Sequence, residues 1–504
     1  QGRPAPVEAL EEGNPLLASL GKLGRDAFAL HWSELLDGVA SDDEAHFIEP
    51  AASHCLGLLQ RDILTLTART ADERPQLAAD DGSLTVHACH SPMREVQALY
   101  DELLARFAAD PTLAPRDVLV MTPDIETYAP YIHAVFGAPE DEARRIPYTI
   151  ADRTLKAESD VVRGFLALLE CERGRFTAPV MFDLLQSPPV RARFGISADE
   201  LPLIEHWLRE TGIRWGLDRA DRARHGLPPT PDGTWEAGFR RLLLGYALPL
   251  GERSLFAGEL PYDDIEGSDA ETAGKLLAFY EALLELAQLL RAEHPLPVWC
   301  ERIGSALGRF IDLDREADDA HLIQAALADL QQQAEAAGFD EPVPAAVFRQ
   351  QLAGALSQRG RGGSFLVGCV TFAGMVPMRA LPFRFIGLLG LNDADYPRRR
   401  PAADFDLVAR HPRRGDRVHR DEDRYLFLEA LLSAREALYL SYVGYSTRDN
   451  SESQPSVILS ELLDYLIDNF EVAGIDEADA ETRRERLLDH WVRRHPLQPF
   501  SPRY

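Results

Sequence analysis

The feature that most constrains this chain is an alternation of strand and helix patterns that stops and later resumes. Residues 84–89 read as a short buried strand, and 94–109 as an amphipathic helix. Residues 117–121 form a strong strand pattern, 125–136 a helix, and 146–150 an extended segment. Such alternation predicts a parallel, doubly wound sheet. From about 158 to 360 the pattern is almost entirely helical, with long stretches at 270–292 and 317–337. Strand patterns return at 365–371 and 385–389, then a helix at 421–434, a strand at 438–442 and a helix at 456–470. The economical reading is α/β plus all-α: one parallel-sheet domain split by a large helical insertion. The expected boundaries are a helical segment 1–82, a first sheet part 83–170, an insertion 171–362, a second sheet part 363–450 and a charged linker 451–504.

Composition narrows the function classes. The 45% hydrophobic content of the 504 residues is ample for sizeable cores, and no run reaches the roughly 18 to 20 apolar residues of a membrane span. The start, Gln1-Gly2-Arg3-Pro4, has no charged-then-apolar signal segment and reads as part of a longer cytosolic protein. Five scattered cysteines without a Cys-x-x-Cys pair argue against a disulfide framework, a zinc ribbon or an iron–sulfur cluster. A net charge of -28 argues against indiscriminate polyanion binding, so any nucleic-acid contact belongs to a local patch or channel. Lysine occurs only at Lys22, Lys156 and Lys275. None lies in a Gly-x-x-x-x-Gly-Lys-Ser/Thr loop, so no phosphate-binding P-loop is present. The remaining basic residues are arginines; codon bias is the plainer explanation of their number, although arginine also suits bidentate phosphate contact.

Two segments carry motif-like residues. In 374–397, Met378-Arg379-Ala380-Leu381-Pro382-Phe383 precedes a buried strand and the run Gly390-Leu391-Asn392-Asp393-Ala394-Asp395-Tyr396-Pro397. This resembles motif V of the UvrD-like superfamily 1 helicases, with Arg379 at the lysine position and Pro382 at the glutamate position. In 421–442, Asp423-Arg424-Tyr425-Leu426 and the following helix resemble motif VI. Arg424 is retained there, but Ser433 falls on the second catalytic arginine. Such an arginine contributes about 10³-fold or more to phosphoryl transfer, and serine cannot replace it. The resemblance implies a degenerate second motor domain, RecA-like and of the P-loop NTPase type, in which the scaffold is kept and the chemistry lost.

A narrower resemblance rests on segments spread along the chain. They include Gly13-Asn14-Pro15-Leu16-Leu17, His90-Ser91-Pro92-Met93-Arg94-Glu95-Val96, Gly212-Ile213-Arg214-Trp215-Gly216, Arg414-Gly415-Asp416-Arg417 and Asp449-Asn450-Ser451-Glu452. Together they resemble the gamma subunit of exodeoxyribonuclease V, the RecC-type family of the RecBCD helicase–nuclease. That resemblance implies a non-catalytic, DNA-binding scaffold in double-strand break repair by homologous recombination. It implies partners, a RecB-type beta subunit and a RecD-type alpha subunit, which would use ATP and Mg²⁺, while this chain binds no cofactor or metal. It further implies contact with double-stranded DNA ends and separated single strands, a cytoplasmic setting and no membrane. The insertion would then be domain 2B, and segment 368–389 the place of a strand-separating wedge.

The clearest DNA-binding candidate is the stretch 398–420. It holds Arg398, Arg399, Arg400, Arg410, Arg413, Arg414, Arg417 and Arg420 against Asp404, Asp406 and Asp416, with His411 and His419 among them. Arginines of this kind position a phosphate backbone without reading sequence; the plain alternative is a solvated loop neutralised by acidic neighbours. The resemblance implies that Asp416 contributes to recognising Chi, a sequence in the displaced single strand, where a carboxylate can accept from a cytosine amino group. The plain alternative pairs Asp416 with Arg414 or Arg417 in a turn.

Other clusters read more simply. His87, Cys89 and His90 lack a fourth ligand, and His90 points away from the other two in a strand. Asp393 and Asp395 suit a turn after a strand, and Trp215 and Trp235 suit the core of the insertion. Two rival functions stay open: an active superfamily 1 helicase with its P-loop upstream, and a scaffold that contacts only protein.

Overall fold

The computed structural model describes residues 13–34, 48–139, 141, 144–151, 159–171, 173–248, 255–262, 264–265, 267, 269–313, 315–357, 368–376, 380–398, 403–446, 448–449, 451–475 and 479–502. It divides into two compact units, one formed by residues 1–152 with 362–504 and the other by 153–361.

The first unit is built on parallel strands. They are β1 (Gln76–Leu77), β2 (Leu84–Cys89), β3 (Val118–Thr122), β4 (Tyr148–Ile150), β5 (Val370–Gly374), β6 (Phe383–Leu388), β7 (Ala434–Val443), β8 (Glu471–Val472) and β9 (Val492–Arg494). Seven of them make one sheet in the order β4-β5-β3-β6-β7-β2-β9, with every pairing parallel. β1 and β8 form a separate parallel pair.

A parallel sheet is covered on both faces, so its strands read as continuous apolar runs. All residues of β2 and β3 are buried. β3 sends Val118 and Val120 into one core and Leu119 and Met121 into the other, as the two-residue period of a strand requires. The Val118 core is closed by helices Pro92–Ala109 and Ile125–Phe136. The Leu119 core is closed by helices Cys55–Leu64, His419–Ser433 and Val457–Asn469.

The helical unit does not interrupt this sheet. The strands that flank it in sequence, β4 and β5, pair directly, with Thr149 opposite Thr371. The second unit is helical, with Trp207, Trp235 and Trp299 fully buried in its own core.

Several boundaries differ from expectation. The helical unit begins at Arg153 rather than 171, because helix Asp160–Glu170 packs Val162, Phe165 and Leu169 into the helical core. Residues 451–504 are not a linker: helix Val457–Asn469 packs on the sheet, and β9 pairs with β2 as its edge strand. The first helices are not separate either, since Leu16, Leu20 and Leu56 belong to the same core as β2. The strand expected at 365–371 is β5, which starts at Val370; residues 365–367 lie outside the described residues. Within 368–389, Val370–Gly374 and Phe383–Leu388 are β5 and β6, strands of the sheet interior paired on both sides, which leaves no room for a wedge in the strands themselves.

One buried carboxylate ties the ends of these strands together. Glu95 lies in the first turn of helix Pro92–Ala109 and is fully buried. It accepts hydrogen bonds from the Tyr128 hydroxyl at 2.6 Å, the Ser441 hydroxyl at 2.6 Å and the Gly390 N–H at 3.0 Å. Gly390 is required there: its φ is +74°, and a Cβ would meet the Tyr128 Oη at 2.8 Å. Burial raises the Glu95 pKa above the ordinary 4.5. The folded state therefore binds this proton more tightly than the unfolded chain, and the contribution is lost as pH rises through the raised value. Glu95→Gln keeps one oxygen for Gly390 and Ser441 without the charge, so urea unfolding should show equal or higher stability than wild type at pH 8. Glu95→Ala orphans three donors and should cost about 2–4 kcal/mol.

Candidate nucleic-acid interface

The arginine-rich stretch leaves the sheet after β6. Residues Asn392–Asp395 form a turn, with the Asn392 amide donating to Asp395 at 2.8 Å and Asn392 Oδ1 accepting the Val443 N–H at 2.7 Å. Asp393 and Asp395 therefore belong to a turn. Buried Tyr396 follows, its hydroxyl donating to the Asp423 carbonyl. Arg398 then reaches the carboxylate of Asp423, which is 0% exposed. Its backbone N–H donates at 2.6 Å, its Nε at 3.1 Å and its Nη2 at 2.5 Å. The hydrogen bonds to Asp423 hold the Arg398 guanidinium above its ordinary pKa.

Residues 403–420 run over the surface. Asp406 caps the one-turn helix Leu407–Arg410, accepting the N–H groups of Val408 at 2.9 Å and Ala409 at 3.0 Å. A tight turn follows at Arg413–Asp416. There the Asp416 carboxylate accepts the Arg413 N–H at 2.6 Å, and Gly415 adopts φ +84°. Neither Arg414 nor Arg417 is its partner: Arg414 Nε faces Asp26 at 3.6 Å, and Arg417 pairs with Glu422.

A cleft of about 900 Å³ opens beside this stretch. Arg398, Arg417, His419, Arg420 and Arg424 line it, against Asp393 and Asp406. The five basic groups are not equally available. Arg398 is held by Asp423 and Arg417 by Glu422, and His419 Nδ1 lies 3.1 Å from Glu422. Arg410 donates to the Asp404 carbonyl. Among the described residues, the side chains of Arg413 and Arg420 have no partner, and both are exposed. Arg399 and Arg400 lie outside the described residues.

Arg424 is a structural clamp. It is 9% exposed, pairs with Glu461 at 2.5 Å and donates to Ser19, so it joins helices Pro15–Leu20 and Val457–Asn469. Ser433 is the buried last residue of helix His419–Ser433, and Pro382 is exposed just before β6. Arg379 lies outside the described residues.

The remaining clusters resolve individually. His87 and His495 share a 2.7 Å contact between ring nitrogens, and burial pushes His495 down to about 4 and His87 well below the ordinary imidazole value. His90 stacks on Tyr445 instead, and Cys89 is a buried free thiol. Among the described residues, no three metal-ligating side chains converge, and no helix is long and apolar enough to cross a membrane. Trp235 is a core residue, donating to the Phe176 carbonyl at 2.8 Å. Trp215 is only half-buried, with arginines against its ring, so its core assignment is corrected.

Sequence reasoning passed over Phe405 and Leu407, which are 86% and 69% exposed within the arginine stretch. The available signal was an apolar pair flanked by aspartates in an otherwise charged run. Arg424→Ala should lower the unfolding free energy by about 2 kcal/mol, measured by denaturant titration, because it leaves Ser19 and Glu461 without their shared donor.

Comparison with known proteins agrees with this layout. The family described as RecBCD enzyme subunit RecC fourth domain matches residues 158–360, close to the helical unit at 153–361. The chain is 39% identical to the RecBCD enzyme subunit RecC of Escherichia coli K12, over 97% of this chain and 44% of that protein. It is 37% identical to the Haemophilus influenzae protein of that name, over 98% of this chain and 42% of the relative. Against the Mycobacterium tuberculosis one, identity is 36% over 97% and 43%. The chain thus spans less than half the length of the curated relatives it matches. Over nearly all of its own residues, the chain belongs to the RecC family.

Proposed function

We propose that this chain is the non-catalytic, DNA-handling part of a RecC-type subunit in an exodeoxyribonuclease V complex. Its sheet unit corresponds to a degenerate UvrD-like second motor domain and its helical unit to domain 2B. The cleft beside 403–420 guides DNA by its phosphates, while a RecB-type and a RecD-type partner use ATP and Mg²⁺, in a cytoplasmic setting, to process double-strand breaks. This chain holds no cofactor of its own. The observation that carries the reading is the division of labour among the arginines. Arg398, Arg417 and Arg424 are tied to carboxylates, while Arg413 and Arg420 stand exposed without a carboxylate partner among the described residues.

Loss of catalysis is supported from two sides. Ser433 stands where motif VI carries its second arginine, and Pro382 where motif V carries its glutamate. Arg424, the retained motif VI arginine, is engaged by Ser19 and Glu461 rather than presented to a nucleotide. Asp416 has one carboxylate oxygen on the Arg413 N–H; its other oxygen is the acceptor that a base amino group would use. Any strand-separating wedge is confined to the β5–β6 connection.

The test is DNA binding by the assembled complex across a salt series. Arg413→Ala/Arg420→Ala should weaken forked-DNA binding and flatten the salt dependence by roughly one unit per lost phosphate contact. Unchanged affinity and slope would move the segment off the DNA path. The exposed Phe405 and Leu407 favour a second reading, docking of a partner subunit. In that case Phe405→Ser/Leu407→Ser would lower complex assembly and leave the salt slope of the assembled fraction unchanged.

A further inference from the structure

A second arginine cluster surrounds Trp215 on the helical unit. The Arg222 guanidinium lies 4.7 Å from the Trp215 ring centroid and that of Arg175 lies 6.0 Å away. His225 packs edge-on at 5.8 Å. Arg222 donates through Nη1 to Thr230 Oγ1 at 3.1 Å, while its buried Nε has no hydrogen-bond partner among the described residues. Arg175 sits in a left-handed backbone conformation, φ +55°, and its carbonyl accepts the Gly216 N–H at 3.0 Å. Arg175, Arg214, Arg219 and Arg224 are exposed.

The acidic residues of this segment are committed elsewhere. Asp218 accepts the Asp221 N–H at 2.7 Å, and Asp221 pairs with Arg291 while accepting the Leu217 N–H at 3.0 Å. Asp232, in the neighbouring loop, makes no ion pair with these arginines among the described residues. Five arginines, at 175, 214, 219, 222 and 224, are therefore left without a carboxylate partner among the described residues, in a chain of net charge -28. Arg222, held against the indole and by Thr230, adds fixed positive charge, while the exposed Arg214, Arg219 and Arg224 carry the N–H edges that a phosphate would meet. With two guanidiniums already against the ring, Trp215 is a poor platform for an unstacked base, which disfavours a single strand.

We propose that the Trp215 surface binds the phosphate backbone of double-stranded DNA without reading its sequence. The surface belongs to the helical unit and the cleft beside 403–420 to the sheet unit, and the proposal rests on the reading that this chain handles DNA.

The experiment is anisotropy of a labelled blunt duplex and of the matching single strand, titrated with the 504-residue chain across a salt series. Arg214→Ala/Arg219→Ala/Arg224→Ala should weaken duplex binding at least about tenfold near 0.1 M salt and flatten the slope by about two to three units. The triple lysine variant at these positions should keep the wild-type slope, because it keeps the charge. Wild-type-like binding by the alanine variant, equal loss in the lysine variant, or no duplex binding by the wild-type chain would overturn the proposal. Loss of polyglutamate binding with duplex binding intact would also overturn it, in favour of an acidic protein partner. Arg413→Ala/Arg420→Ala is measured in parallel. If it is silent while Arg214→Ala/Arg219→Ala/Arg224→Ala weakens binding, the cleft reading fails and this one stands.

Discussion

The surface stretch 403–418 depends on an ion pair made by a carboxylate that no water reaches. Asp423 is 0% exposed, and Arg398 meets it with backbone and side-chain donors across 25 positions of sequence. A buried charge without compensation is strongly destabilising, so neither partner can be lost alone. The pair closes the base of the long connection from β6 to helix His419–Ser433. With both ends pinned, the intervening residues can stay exposed without loosening the sheet. The Asp406 cap and the Arg413–Asp416 turn then shape the chain locally.

The same economy explains how an arginine-rich chain uses one residue type for two jobs. A guanidinium is a rigid fork that satisfies several acceptors at once. Arg424 does this between Ser19 and Glu461, and Arg384 does it among Asp110, Thr112 and Glu436. These arginines are structural. Among the described residues, each compact unit also carries a surface group of arginines without carboxylate partners, Arg413 with Arg420 in one and Arg175, Arg214, Arg219, Arg222 and Arg224 in the other. A net charge of -28 is compatible with DNA contact under that arrangement, because the positive charge is local.

Much of the fold could be read from periodicity. The strand pattern 117–121, with its apolar run 118–121, and the helix 125–136 have strong local signals and appear nearly as expected, as β3 (Val118–Thr122) and helix Ile125–Phe136. The edges of the split were less legible. Helix Asp160–Glu170 is apolar enough for either unit, and only packing decides that Val162 and Phe165 join the helical core. β9 has three residues, two of them arginine, and shows no strand pattern until β2 offers it an edge. At the site, the charge of 398–420 was visible, but which arginines are neutralised was not. Asp423 and Glu422 sit on the next helix, and sequence does not show which way they face. Trp215 failed for a related reason: an aromatic beside glycines reads as core, and its arginine neighbours come from residues 175 and 222.

Photo-crosslinking from position 405 in the assembled complex tests the central claim most directly. Phe405 is 86% exposed and forms no part of the arginine network, so replacing it with p-benzoylphenylalanine disturbs little. On a labelled DNA end, the account predicts crosslinks to DNA that fade as salt rises. Crosslinks to a partner subunit alone, insensitive to the presence of DNA, would contradict it.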